Sequence, residues 1–404
     1  MLNTSFKFRE KNIANRIVFQ PMEGCDCNSD GSPSNLTIAK YMRAARSGAG
    51  IIWMEANAVC PEGRTSERQM MLTRENLSIF RNFVADIRAE AEKEGFSPLL
   101  FLQLTHSGRQ SIRPMIAYRH PIYEETRPIA SDDAIVTDEY LDTLAKLYAS
   151  SASLALEAGF DGVDVKSCHG YLFQELLSAF DRPGRYGGSF ENRTRLYLDC
   201  VRAVMSRVGD KMEVVTRLGV SDMVPYPYGF GTTDKNELDL GEAKKLIALL
   251  EKEGIRMINI TIGNPYYNPH INRPFRLAHY VAPESPETGL ARFERVEREL
   301  KQEFPGIAWV GSGLSYYRHD LMEQAEKQIK DGICDLVGFG RVTLAYPEFY
   351  TDYLKGCFDG KKTCVACSKC TALMRAKCVS GCAVYNPYYR ELYKEKVLCK
   401  KQHS

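Results

Sequence analysis

The chain has 404 residues, 44% of them apolar and 26% charged, with 53 basic and 51 acidic side chains and a net charge of +2. That is ordinary globular composition with room for a sizeable core. The charge balance argues against nucleic acid or an anionic membrane as the main partner. No apolar run reaches membrane-spanning length, and the start Met1-Leu-Asn-Thr-Ser-Phe-Lys lacks the apolar core of a signal peptide, so the cytoplasm is the expected location.

Eight short β-rich runs alternate with longer helical stretches, at residues 16–22, 50–56, 99–105, 162–167, 213–218, 257–262, 308–311 and 335–340. Their near-continuous Val, Ile, Leu and Phe fit parallel strands buried on both faces. Between them, Leu141, Leu144, Ala145, Tyr148, Ala152 and Ala155 share one helical face, as do Ala243, Leu246, Ile247 and Leu250. Gly48, Gly95, Gly159, Gly254 and Gly332 each sit just before a strand, where a helix C-cap needs positive φ. The order predicts an α/β protein with a (β/α)8 TIM barrel. The rival is an open doubly wound sheet, but no strand is followed by a dinucleotide-type glycine turn.

The C-terminal strand ends, where such barrels do chemistry, are unusually polar. The first ends in Pro21-Met22-Glu23. The third contains Gln103 and runs into His106. The fourth gives Lys166, His169 and Tyr171, and the fifth Arg217. The last two end in Gly311-Ser312-Gly313 and Gly340-Arg341. Glycines paired with an arginine after the seventh and eighth strands suit a phosphate, because bare backbone N–H groups can approach it. Gln103 and Arg217 could hydrogen-bond the edge of a flavin ring, or belong to a barrel-core polar network with Glu55 or Glu213. Lys166 and His169 could hold a carbonyl oxygen while Tyr171 donates a proton. The segment from Asp181 to Arg193 is too irregular for a helix start and reads as a solvated loop. The long stretch 263–290, rich in Pro, Tyr and His, reads as a substrate loop.

Thirteen cysteines are many for an intracellular chain, and five fall within 364–382. Crowding of this kind favours metal or iron–sulfur ligation over disulfides. The scattered Cys60, Cys200, Cys334, Cys357 and Cys399 read as small hydrophobes or inert thiols.

Tyr186-Gly-Gly-Ser-Phe-Glu-Asn-Arg193 closely resembles the signature loop of the Old Yellow Enzyme family of FMN-dependent oxidoreductases. Further matches follow in order: Asn15-Arg16, Pro21-Met22, Glu62-Gly-Arg64, Gln103 through Arg109, His169-Gly-Tyr-Leu172, Arg217 and Gly340-Arg341. The resemblance covers residues 1–350. It implies FMN held by Pro21, Met22, Ala56, Gln103, Arg217, Gly311, Ser312, Gly313, Gly340 and Arg341, with Tyr171 as proton donor. Two departures stand out. Lys166 replaces the family's usual His, which suits a larger or more acidic substrate, or one carrying a carboxylate. Glu23 stands where Thr or Cys is usual, and is free to pair with Lys166. Cys25 and Cys27, on the same loop, read as surface thiols.

The cysteines Cys364, Cys367, Cys370 and Cys382 resemble the [4Fe–4S] ligands of the family branch containing 2,4-dienoyl-CoA reductase and trimethylamine dehydrogenase, with Cys378 spare. Tetrahedral zinc is the chemical rival. The expected division is a barrel over 1–355 and a cluster-binding extension over 356–404, without the FAD and NAD(P) domains of larger relatives. The resemblance implies an ene-reductase acting on a small α,β-unsaturated substrate, fed through the cluster by an electron-transfer protein or directly by NAD(P)H. The alternative is oxidation of a small amine, caged by Tyr226, Tyr228, Tyr266 and Tyr267. A third reading is a carrier that keeps FMN without substrate chemistry. A homo-oligomer is compatible with either enzyme.

Overall fold

A computed structural model describes residues 1–399. The last five residues of the expected extension lie outside them. Eight parallel strands close into a barrel: β3 (Ile17–Phe19), β4 (Ile51–Ala58), β5 (Leu99–Thr105), β6 (Gly162–Val165), β7 (Glu213–Ser221), β8 (Met257–Ile262), β9 (Ala308–Gly311) and β10 (Leu336–Phe339), with β10 pairing back to β3. All eight residues of β4 are buried, as continuous apolar strands in a closed barrel require. Every predicted strand is present, and the barrel rather than the open sheet forms.

Helices sheathe the barrel with the predicted faces. In Asp138–Ala158 the Thr137 side chain caps the start, Leu141, Leu144, Tyr148, Ala152 and Ala155 are buried, and Gly159 ends the helix at φ 94°, a conformation that a side chain resists. Among the described residues, no helix is long and apolar enough to cross a membrane.

Three features differ from the sequence-based expectation. A hairpin of β1 (Phe6–Phe8) and β2 (Lys11–Ile13) precedes the barrel, and its Phe8 and Ile13 join the interior cluster of Val18, Ile51, Trp53 and Phe101. The segment expected as a solvated loop contains a helix start: Ser189 accepts from Asn192 N, the helix runs Phe190–Val208, and Arg193 is buried, its guanidinium bonded to Glu242. Arg193 also lies over the Phe180 ring at 4.1 Å. Finally, Cys27 is buried and its thiol is pushed far up by burial, so it is not a surface thiol. Cys60, Cys200 and Cys334 are buried as expected, whereas Cys357 and Cys399 are exposed.

Beyond the barrel, helices Lys369–Arg375 and Pro387–Tyr393 gather a small core of Leu373, Val379, Ala383 and Tyr389. The backbone of this segment is tied to the barrel mouth. Ser380 N donates to Gly24 O at 2.7 Å, and Arg276 N donates to Ala366 O at 3.0 Å.

Candidate active site

The C-terminal strand ends surround a cavity of about 830 Å³. Pro21, Met22, Ala56, Gln103, Lys166, His169, Tyr171, Arg217, Ser312, Gly313, Gly340 and Arg341 all line it. Gly311 lies one residue back, where a Cβ would stand 2.9 Å from Cys334 Sγ.

At the end of β6 the chain bends sharply, with His169 at φ 67° and Gly170 at φ 67°. This turn brings the three expected side chains together. The Lys166 ammonium lies 3.8 Å from the Tyr171 ring centroid, and both residues are buried. The Tyr171 hydroxyl donates to Glu23 Oε2 at 3.4 Å, and Thr65 Oγ1 donates to Glu23 Oε1 at 2.9 Å. Among the described residues no ion pair joins Glu23 to Lys166. Burial raises the Glu23 carboxyl against the pull of Lys166, and the same burial lowers Lys166. His169 is held well below its usual range by burial, then by Arg217 and Lys166, so its ring is neutral and its Nε2 is buried without a partner.

Gln103 bonds neither Glu55 nor Glu213. Its Nε2 donates to Asp164 Oδ2 at 2.7 Å, and Asp164 also accepts from Trp53 Nε1 and Arg217 N. Burial pushes Asp164 up to about 6. Glu55 instead accepts from Lys40, Tyr41 and Gly24 N, while Glu213 pairs with Arg9. Gln103 is therefore anchored by Asp164 where it lines the cavity.

A second network was not anticipated because its members come from three strands. Gln20 Nε2 donates to Ser312 Oγ at 2.8 Å and to Asn259 Oδ1, and Asn259 Nδ2 donates to Ser312 Oγ at 2.9 Å. Glu297 accepts from Ser312 N. Together they fix the loop carrying Gly313, whose φ is 90°. Arg273, absent from the expected set, also reaches this end of the cavity.

The fit to a flavin mononucleotide rests on unmet donors. Arg217 Nε, Arg341 Nη1 and Arg273 Nη1 are buried with no partner, and unpaired buried donors are costly. A Cβ on Gly340 would stand 3.1 Å from Met22 Sδ, so a side chain there would crowd Met22. Cationic donors beside a glycine loop suit a phosphate, and Arg217 with Gln103 suits a polar ring edge.

The cysteine segment abuts this cavity, and Cys370 and Cys378 line it. Cys364 is pushed up to about 11 by burial, opposed by Arg341, and feels both Cys370 and Cys382. Cys382 is raised by burial and feels Cys370 and Cys367. Ala366 N donates to Cys364 Sγ at 3.3 Å. The four thiols thus share one neighbourhood, although among the described residues no three His, Cys, Asp or Glu side chains close around a single metal ion.

The proposed aromatic cage is not assembled. Only Tyr266 of the four lines the cavity, beside Tyr171 at 6.4 Å between centroids, while Tyr228 and Tyr267 turn toward His120 and Tyr123. Pro265, Tyr266, Asn272 and Arg273 bring the 263–290 stretch to the cavity wall.

The sequence profile of the NADH:flavin oxidoreductase / NADH oxidase family matches residues 2–357. An NADH oxidase of Thermoanaerobacter brockii is 27% identical over 363 residues, covering 88% of this chain and 51% of the relative. A 12-oxophytodienoate reductase 1 of Oryza sativa subsp. japonica is 27% identical over 360 residues, covering 86% of this chain and 84% of the relative. A solved 2-naphthoyl-CoA reductase complex superposes with a TM-score of 0.77 at 20% identity, covering 97% of this chain and 58% of that one. The chain therefore spans about half the length of the first of these relatives, but most of the second. With the barrel, the polar strand ends and a match over nearly nine-tenths of its length, the chain belongs to the NADH:flavin oxidoreductase / NADH oxidase family of enzymes, the Old Yellow Enzyme family.

Proposed function

We propose that the protein is an FMN-dependent ene-reductase acting on a C=C bond conjugated to a carbonyl, with a [4Fe–4S] cluster on Cys364, Cys367, Cys370 and Cys382 relaying electrons from a partner protein or from NAD(P)H. The observation that carries this reading is the Lys166–Tyr171–Glu23 group facing the cavity. When bound, the flavin supplies a hydride equivalent and the cluster one-electron steps.

The residues divide the remaining work. Lys166 offers a charge and neutral His169 an N–H to the substrate carbonyl oxygen, and both draw electron density from the conjugated bond. Tyr171 gives its proton to the α-carbon. Burial and the nearby Glu23 push the phenol well up, so it stays protonated until that step. Gln103 and Arg217 would hold the flavin ring edge, and Pro21, Met22 and Ala56 would pack against the ring. Gly311, Ser312, Gly313, Gly340 and Arg341 would hold its phosphate.

Several observations support the relay. The four thiols feel one another, backbone amides point at Cys364 and Cys382, and Cys370 borders the cavity. The unit from 356 onward is then an appendix to the barrel unit of 1–355. So many reduced thiols fit a cytoplasmic compartment. The 2-naphthoyl-CoA reductase neighbour acts, by its name, on a coenzyme A thioester, which agrees with a conjugated thioester or acid as substrate. A cationic amine meets Lys166, which argues against the dehydrogenase alternative.

Anaerobic reduction of the purified protein tests this. NADH, NADPH and dithionite are added in turn while flavin and cluster absorbance are followed, and an enone is then added. The expected result is reoxidation of the reduced flavin by the enone with a saturated product. Reoxidation by amine-derived imines alone, or by no conjugated carbonyl in a broad panel, overturns it.

A further inference from the structure

The charges around the cavity are lopsided in a chain that is otherwise balanced. Eight lysines and arginines line it against two carboxylates, Glu23 and Glu67. Among the described residues none of the eight is ion-paired, although ion pairs are frequent elsewhere on the molecule.

Most of these cations already have a task under the proposed function. Arg273, Arg341 and Arg375 sense one another, with Cys370 beside Arg273 and Cys364 beside Arg341, so they serve the phosphate and thiolate end. Arg217 faces the flavin ring edge, and Lys166 the substrate carbonyl. Arg68, Arg127 and Lys377 are left over; Arg68 and Lys377 are exposed to solvent, and Arg127 is the one that is partly buried. It is half-buried and lowered by that burial, and its Nη1 donates only to the neutral carboxamide of Gln110. Its place relative to the chemistry is fixed by Tyr266. That phenol, which lines the same cavity, interacts with Tyr171 and Glu23 and also with Arg127. A guanidinium facing a cavity without a counter-ion is costly unless the ligand supplies one, and its fork fits a carboxylate or phosphate in two parallel hydrogen bonds.

We propose, resting on the ene-reductase reading, that Arg127 is an anion subsite: the substrate carries, beyond its reacting conjugated carbonyl, a remote carboxylate or phosphate that docks past Tyr266 on Arg127. The subsite selects acidic substrates and orients the C=C bond toward Tyr171. It performs no chemistry, so Arg127 is a binding residue.

The test uses the flavin-loaded holoenzyme and three probes: 4-carboxybenzylideneacetone, its methyl ester, and cinnamoyl-CoA. Binding to the oxidised enzyme is read from the perturbation of flavin absorbance, and turnover is read separately. The acid is expected to bind at least tenfold more tightly than the ester. Arg127→Gln abolishes that difference while leaving the ester's Kd unchanged, and Arg127→Lys restores part of it. In Arg127→Gln, loss of the acid-to-ester difference with unchanged cinnamoyl-CoA binding assigns a carboxylate; at least tenfold weaker cinnamoyl-CoA binding with an unchanged acid-to-ester ratio assigns a carrier phosphate. An acid-to-ester ratio and a cinnamoyl-CoA Kd that are both unchanged in Arg127→Gln overturn the subsite. If Arg127→Gln shifts either one but none of the three probes is reduced, the subsite stands and the ene-reductase reading falls. If the probes are reduced while Arg127→Gln shifts neither, the reverse holds. Flavin content and thermal melting of each variant establish that it is folded, and Arg127→Lys carries the comparison if Arg127→Gln is not.

Discussion

The Lys166 ammonium rests on the face of the Tyr171 ring, 3.8 Å from its centroid. Such a contact contributes about 2 kcal/mol when desolvated, whereas burying an isolated ammonium costs several kcal/mol. The ring therefore does not keep Lys166 charged on its own. The charge of Glu23 helps, and the net result is still a lowered lysine. A group poised this way responds strongly to an incoming carbonyl oxygen.

Tyr171→Phe keeps the ring under Lys166 and removes only the hydroxyl. Reoxidation of the reduced enzyme by an enone should slow by roughly 10²- to 10⁴-fold, the usual contribution of a positioned acid. Reduction of the flavin should be unaffected. Stopped-flow measurement of both half-reactions decides it, and an unchanged oxidative half-reaction removes Tyr171 from proton delivery.

Glu23 gives parallel pH trends in stability and rate. Its folded-state carboxyl is raised, so the folded protein takes up a proton that the unfolded chain has lost. Its contribution to stability is full below the ordinary glutamate range and is lost as pH rises through the raised value. Ionised Glu23 holds the Tyr171 proton more tightly, so the oxidative half-reaction should slow over that same window. Glu23→Gln should flatten both trends. Parallel urea unfolding and stopped-flow series against pH measure them, and a rate profile that keeps its alkaline limb in Glu23→Gln assigns the limb elsewhere.

Ser312→Ala strips the shared acceptor from Gln20 and Asn259. Buried donors left unpaired cost about 1–3 kcal/mol each, offset where Gln20 keeps Asn259 as a partner. A loss of about 2 kcal/mol in denaturant unfolding is expected, together with weaker FMN retention on dialysis.

Cys364→Ser should lower iron and acid-labile sulfide to background, whereas Cys378→Ser should leave both intact. FMN stoichiometry should survive in each, since the proposed flavin contacts come from the barrel. Equal iron loss in the two variants would make Cys378 a ligand.

Legibility from sequence followed the physics of each part. Barrel strands such as Leu99–Thr105 and Met257–Ile262 declare themselves because burial on both faces writes an unbroken apolar run. The hairpin Phe6–Phe8 with Lys11–Ile13 is too short and too mixed to do so. Gly187 and Gly188 disguised the cap at Ser189, although Ser-Phe-Glu-Asn is a sound helix start. Lys166, His169 and Tyr171 were visible because one turn carries all three. Ser312 was visible as part of a glycine loop, but its meeting with Gln20 and Asn259 was not, because it depends on barrel closure, which brings β8, β9 and β10 round to β3. Arg127 and Arg273 sit in loops whose course no periodicity reveals.

The hydrogen bond from Ser380 to Gly24 has a consequence for assembly. Gly24 follows directly on the Pro21–Glu23 wall, and Ser380 belongs to the cysteine segment, so the first strand's loop gains this tether only after the cysteine segment has been synthesised. A ribosome releases the barrel's first strand long before its last clasp. Closure of that wall is thereby tied to the folding of the cysteine segment: until the segment folds, the chain presents a barrel with an unfastened door.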